Sequence, residues 1–197
     1  MMVRLYVEEV PPVYLCCDTL LTAADIASAA RFQNDNRRNE HLAWRRIIRR
    51  ELGRTTLIEY NEVGAPTVDT PNRHISVAHS RGMVAVAIAD ERVGIDIETS
   101  ERNFERAASR FLSEEERALC SDELWPAKVW TAKEAMYKYY GERGVELDED
   151  LRIVGYDSTR QLMRGEFRGE HGVTIAISRH AERYIVAVAT RSKIERE

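Results

Sequence analysis

Six residues constrain the fold of this chain most: Val93-Gly94-Ile95-Asp96-Ile97-Glu98. Their alternation has a period of two, so they read as a β-strand. Ile95 and Ile97 face one way; Gly94, Asp96 and Glu98 face the other. Same-face neighbours stand roughly 6.6 Å apart on a strand, so both carboxylates can reach one cation. Two acids this close repel unless a positive charge sits between them. A solvated face on an edge strand is the plain alternative. Against it stand the glycine ahead of the aspartate, the isoleucines on the opposite face and a third acid elsewhere in the chain.

That third acid lies in Trp130-Thr131-Ala132-Lys133-Glu134-Ala135-Met136-Tyr137-Lys138, which reads as a helix. Trp130, Glu134 and Lys138 fall four apart and form one stripe, with Lys133 beside it. Alone, Glu134 and Lys138 make a surface pair worth about 0.3–0.5 kcal/mol. Beside Asp96 and Glu98 they gain a second reading. Glu134 becomes a third oxygen ligand, and Lys138 neutralises a phosphate next to the metal. Magnesium keeps several waters and takes a few carboxylates plus phosphate oxygens. Asp96, Glu98 and Glu134 are therefore a candidate Mg2+ site for phosphoryl chemistry.

The rest of the chain alternates between strand and helix signals. Strands are expected over 3–7 and 13–17. A helix starts after the N-cap Thr22, with Asp25 three residues on, and runs towards Phe32. A second passes through Leu42, Ile47, Ile48 and Leu52 and stops at Gly53. Strands follow over 75–78, 84–89 and 93–98. Ser113-Glu114-Glu115-Glu116 has the capping-box pattern and opens a helix reaching about Leu124. Pro126 opens the next helix, which Gly141 and Gly144 end. Strands return over 154–156, 166–168, 173–178 and 184–190, before a charged tail from Arg191 that is expected to fray. The class is α+β. One echo stands out. Ile75-Ser76-Val77-Ala78-His79-Ser80 before Met83-Val84-Ala85-Val86-Ala87 resembles Ile175-Ala176-Ile177-Ser178-Arg179-His180 before Tyr184-Ile185-Val186-Ala187-Val188. Two related halves meeting near residue 100 would produce it.

Composition narrows the partners. With 44% hydrophobic and 31% charged residues among 197, the chain can bury a core as a soluble protein. A net charge of -4 gives no bulk attraction for nucleic acid. Arginines 37, 38, 45, 46, 49, 50 and 54 crowd one stretch and leave room for a local anion site. Cys16, Cys17 and Cys120 match neither a disulfide framework nor zinc spacing. The N-terminus runs into acids and prolines rather than a long apolar stretch, so neither a signal peptide nor a membrane span is expected, and the location is expected to be cytoplasmic. His79 ends a strand beside Ser80 and Arg81, in a turn that offers backbone N–H groups and charge to an anion.

Gly94-Ile95-Asp96-Ile97-Glu98 and the segment 130–138 resemble, in order and spacing, the two signature motifs of the 4′-phosphopantetheinyl transferase superfamily, G-[IV]-D-x-E and W-[ST]-x-K-E-[SA]-x-x-K. Residues 75–80 resemble the upstream motif ending in Ser-His-Ser, with Ala78 where serine is usual. Gly64-Ala65-Pro66 resembles Gly-Lys-Pro, with Ala65 in the lysine's place. The resemblance covers roughly 40–157. Short members, about half this length, work as trimers. The length here resembles the surfactin-type, single-chain pseudodimers.

The resemblance implies two similar α+β halves related by a pseudo-twofold: 1–98 with coenzyme A-binding elements, 99–197 with the W-T-A-K-E helix, and the active site between them. It implies transfer of the 4′-phosphopantetheine arm of coenzyme A to a serine of an acyl or peptidyl carrier protein, with release of adenosine 3′,5′-bisphosphate. Asp96, Glu98 and Glu134 would bind Mg2+, and Asp96, Glu134 and Lys138 would be catalytic. Glu134 would act as base for the carrier serine, directly or through water. His79, Lys133 and Lys138 would contact coenzyme A, with Arg45 on the 3′-phosphate. The partner would be a small acidic carrier, with no nucleic acid and no membrane, and the protein a monomer. Two alternatives stand beside this: another Mg2+-dependent phosphoesterase or nucleotidyltransferase, and a non-catalytic binder of coenzyme A or a carrier.

Overall fold

The computed structural model describes residues 2–11 and 18–191. The strand expected over 13–17, Cys16, Cys17 and the tail past Arg191 lie outside the described residues. Helices and antiparallel sheets mix as the α+β reading requires. The chain divides into two compact units, Met1–Glu91 and Arg92–Glu197. The acidic strand therefore opens the second unit, whereas the sequence had it closing the first. The reason is pairing: it hydrogen-bonds to the last strand of the chain.

The first unit runs β1 (Val3–Glu9), α1 (Ala23–Ala29), α2 (Asp35–Leu52), β2 (Ile58–Tyr60), β3 (Pro66–Val68), β4 (His74–Ser80) and β5 (Met83–Ala89). The sheet order is β1-β5-β4, all antiparallel. β5 is central and wholly buried, with Val84, Val86 and Ile88 clustered with Leu42, Ile47 and Ile48 of α2. A reciprocal capping box between Thr22 and Asp25 starts α1. The Asn34 side chain caps α2, and Gly53 ends it at a positive φ. β2 and β3 pair as a ribbon that the sequence did not announce; three residues each are too few to show a period. Gly64 and Ala65 sit in its loop, where Asn61 Oδ1 accepts the Ala65 N–H at 2.9 Å.

The second unit runs β6 (Val93–Thr99), a 3-10 turn (Glu105–Arg110), α3 (Glu114–Arg117), α4 (Trp125–Tyr140), β7 (Leu151–Asp157), β8 (Leu162–Phe167), β9 (Glu170–His180) and β10 (Tyr184–Arg191). The sheet order is β6-β10-β9-β8-β7. α4 lies against this sheet and buries Met136, Ala132 and Val129 with Ile175, Ile185 and Ala187. Each large side chain buried this way contributes about 1.5–3 kcal/mol. α3 is four residues long and does not reach Leu124. The Glu116 carbonyl, which a continued helix would offer to residue 120, takes the Trp125 indole N–H at 2.8 Å. Among the described residues, no helix is long and apolar enough to cross a membrane.

Candidate active site

Gly94 explains how the acidic strand meets its helix. A Cβ built there would lie 2.0 Å from the Ala135 carbonyl oxygen and 2.6 Å from the Tyr139 nitrogen. Only a glycine lets the α4 backbone come this close to β6. β6 is an edge strand, yet the face carrying Asp96 and Glu98 turns to α4 instead of water.

On that face Asp96 is 7% exposed. Its Oδ1 accepts from Lys138 Nζ at 2.7 Å. Its Oδ2 is buried without a hydrogen-bond partner. Burial pushes the carboxyl up to about 6; Lys138 works against this, while the charges of Glu134 and Glu98 add to it. Glu98 accepts from the Trp130 indole at 3.1 Å and from Arg102 at 2.9 Å. Arg102 also lies over the rings of Phe104 and Trp130. Glu134 is half-buried on the same stripe. Burial raises its pKa; Lys138 and Arg102 oppose the rise and Glu98 reinforces it.

The strand face and the helix stripe thus put Asp96, Glu98, Glu134 and Lys138 in one electrostatic neighbourhood. Among the described residues, no three His, Cys, Asp or Glu side chains form a metal-holding cluster. The donor set still fits a hard cation. The residues are carboxylates, two are driven up in pKa by burial and their mutual charge, and one buried oxygen lacks a partner.

Lys133 does not join them. It is fully buried, and its ammonium donates to the Phe111 carbonyl at 2.7 Å, the Leu147 carbonyl at 2.9 Å and the Glu116 carboxylate at 2.8 Å. Three donors meet three protein groups. Burial lowers its pKa, with Glu116 opposing. Arg45 is likewise buried, donating to Asp25 at 2.8 Å and His41 at 2.9 Å. Burial pushes the Asp25 carboxyl up, but hydrogen bonds from Arg49, Thr22 and Arg45 outweigh it and hold it far below the usual range. A coenzyme A contact expected from Lys133 or Arg45 thus meets a side chain already engaged inside the protein. Their helical spacing pointed to exposed faces, and nothing in it announced the buried acids.

His79 is exposed at the end of β4. It accepts from Arg37 at 2.9 Å and stands 3.5 Å from the Glu40 carboxylate. Arg37, Glu40, Arg102 and Glu116 were not singled out as site residues in the sequence. Two of them had a signal there: Arg37 in the arginine cluster and Glu116 as the last residue of its capping box.

Residues 92–189 match the family model of the 4′-phosphopantetheinyl transferase superfamily. The matched span starts at the boundary between the units and ends within β10, just under half of the chain. It includes all four residues of the acidic face and supports a transferase. No curated protein matches the chain.

Proposed function

We propose that this protein transfers the 4′-phosphopantetheine group of coenzyme A to a serine hydroxyl of an acyl or peptidyl carrier protein, releasing adenosine 3′,5′-bisphosphate. One observation carries the reading. Within the matched span, Asp96 is buried between Lys138 and two glutamates with one carboxylate oxygen unpartnered. Members of that superfamily use coenzyme A and, in general, Mg2+.

Asp96, Glu98 and Glu134 would hold the cation, which when bound draws charge from the pyrophosphate and stabilises the departing phosphate. Lys138 donates one hydrogen bond to Asp96. An ammonium has three donors, so others remain for a phosphate oxygen. Glu134 is made more basic by burial and takes the serine proton, directly or through one water. His79 and Arg37, paired at the exposed end of β4, are assigned to phosphate oxygens. Lys133 and Arg45 are assigned to holding their helices. The protein would act as a monomer in the cytoplasm, as a surfactin-type member.

The test is intact mass. Apo acyl carrier protein and apo peptidyl carrier protein are each incubated with this protein, coenzyme A and Mg2+. A gain of one phosphopantetheine group on either carrier, abolished by EDTA, is the expected result. No gain on either, with coenzyme A still bound, would refute transfer and leave a binding protein.

A further inference from the structure

The buried Lys133–Glu116 pair has a counterpart in the other unit. In each unit a capping box opens a short helix: Thr22 with Asp25, and Ser113 with Glu116. In each, the acid of that box is buried and paired with a buried base on the long helix: Asp25 with Arg45 at 2.8 Å, and Glu116 with Lys133 at 2.8 Å. Each preceding strand also pairs antiparallel with the last strand of its unit.

Strand register extends the correspondence. Met83 and Tyr184 open β5 and β10, and they pair with Glu9 and Thr99. Counted back from there, Glu8 matches Glu98 and Tyr6 matches Asp96. Counted on from the buried base, Arg46 matches Glu134 and Arg50 matches Lys138. The contacts agree: Arg50 lies over the Tyr6 ring at 5.5 Å where Lys138 meets Asp96 at 2.7 Å. The first unit therefore keeps the buried pair while a tyrosine and an arginine occupy the places of Asp96 and Glu134. Its buried pair has a long helix to hold and no trio of acids to serve.

We infer that Glu116 and Lys133 are positioning residues, a clamp that fixes α4 on its sheet and thereby sets Glu134, the next residue along, against Asp96 and Glu98. Glu116 Oε2 accepts the Ser113 N–H at 2.9 Å and Oε1 the Ile153 N–H at 2.8 Å. Through Lys133 the same carboxylate reaches the Phe111 and Leu147 carbonyls. One ion pair thus ties α3, α4, β7 and the segments before and between them. Neither side chain needs to touch substrate. The functional half of this inference rests on the transferase reading.

The experiment uses Lys133→Met in the full chain, with three readouts: hydrogen exchange over α4, Mn2+ affinity without substrate, and kcat against KM for coenzyme A. The expected variant is folded and exchanges its α4 amides about tenfold faster. It binds Mn2+ about tenfold more weakly, in the range found for disturbed supporting residues. Its kcat falls while KM for coenzyme A stays near that of wild type. The double variant E116D/K133R, which installs the first unit's own acid–arginine pair, recovers Mn2+ affinity. Wild-type exchange and Mn2+ affinity in folded Lys133→Met would overturn the clamp, and so would a folded double variant with no recovery. If Lys133→Met does not fold, Glu116→Gln, which keeps the side-chain shape, takes its place with the same outcomes. Failure of the transferase reading looks different: wild type then binds no Mn2+, while exchange over α4 still reads the clamp.

Discussion

Asp96 is a carboxylate that burial has made reluctant to ionise. Its carboxyl moves from 3.8 up to about 6. A raised acid favours folding while protonated. Its contribution is complete below the unfolded value near 3.8 and is lost as pH rises through about 6. One pKa unit is worth about 1.4 kcal/mol, so the loss is on the order of 3 kcal/mol. In metal-free protein, stability measured by denaturant should decline across that window, and Asp96→Asn should flatten the decline. An Asp96→Asn profile parallel to that of wild type would show that Asp96 does not carry the shift. Mn2+ affinity should weaken by up to tenfold per pH unit below about 6, because the proton competes for the same oxygens. Part of this face was legible: alternation pairs Asp96 with Glu98 and helical spacing pairs Glu134 with Lys138, while only the resemblance to two family motifs put the pairs together. The fates of Lys133 and Arg45 were not legible. A base on an amphipathic helix looks the same whether its partner is solvent or a buried acid, 17 positions back along the chain for Lys133 and 20 for Arg45.

At the scale of elements, β6 and α4 function as one piece because Gly94 lets their backbones touch. Gly94→Ala places a methyl 2.0 Å from the Ala135 carbonyl, and neither backbone can yield cheaply. Overpacking of this kind costs about 1–3 kcal/mol, occasionally more. The expected result is a Tm lowered by roughly 3–10 °C, with Mn2+ affinity falling as well because Asp96 and Glu134 sit on the separated elements. An unchanged Tm and affinity would mean that the approach is not essential. The starts of α1 and α3 were legible through Thr22 and the Ser113 capping box and that of α4 through Pro126, and α4 ends at Gly141, in the left-handed conformation, as expected. The length of α3 was not, because a distant indole takes the carbonyl that would have continued it. β8 spans Leu162–Phe167 and stops where the sequence predicts a strand over 166–168. Arg168 and Gly169 both take positive φ and make the turn there.

At the scale of the molecule, each unit has an antiparallel sheet, a long helix against it and a closing hairpin, and this repeats the echo between 75–87 and 175–188. The hairpins differ in detail: a two-residue turn joins β4 to β5, and three residues join β9 to β10. The superfamily match and the acidic face both lie in the second unit. The first unit has tyrosine and arginine at the corresponding positions, so a sequence pattern tuned to the acids has little there to recognise. The most direct measurement is carrier modification by Glu134→Ala beside wild type, at saturating coenzyme A and Mg2+, with Tm recorded for both. Loss of general-base chemistry is worth about 10²–10⁴-fold, so the expected rate is lower by at least about 100-fold with Tm unchanged. Turnover near that of wild type in the folded variant would contradict a catalytic role for the acidic face.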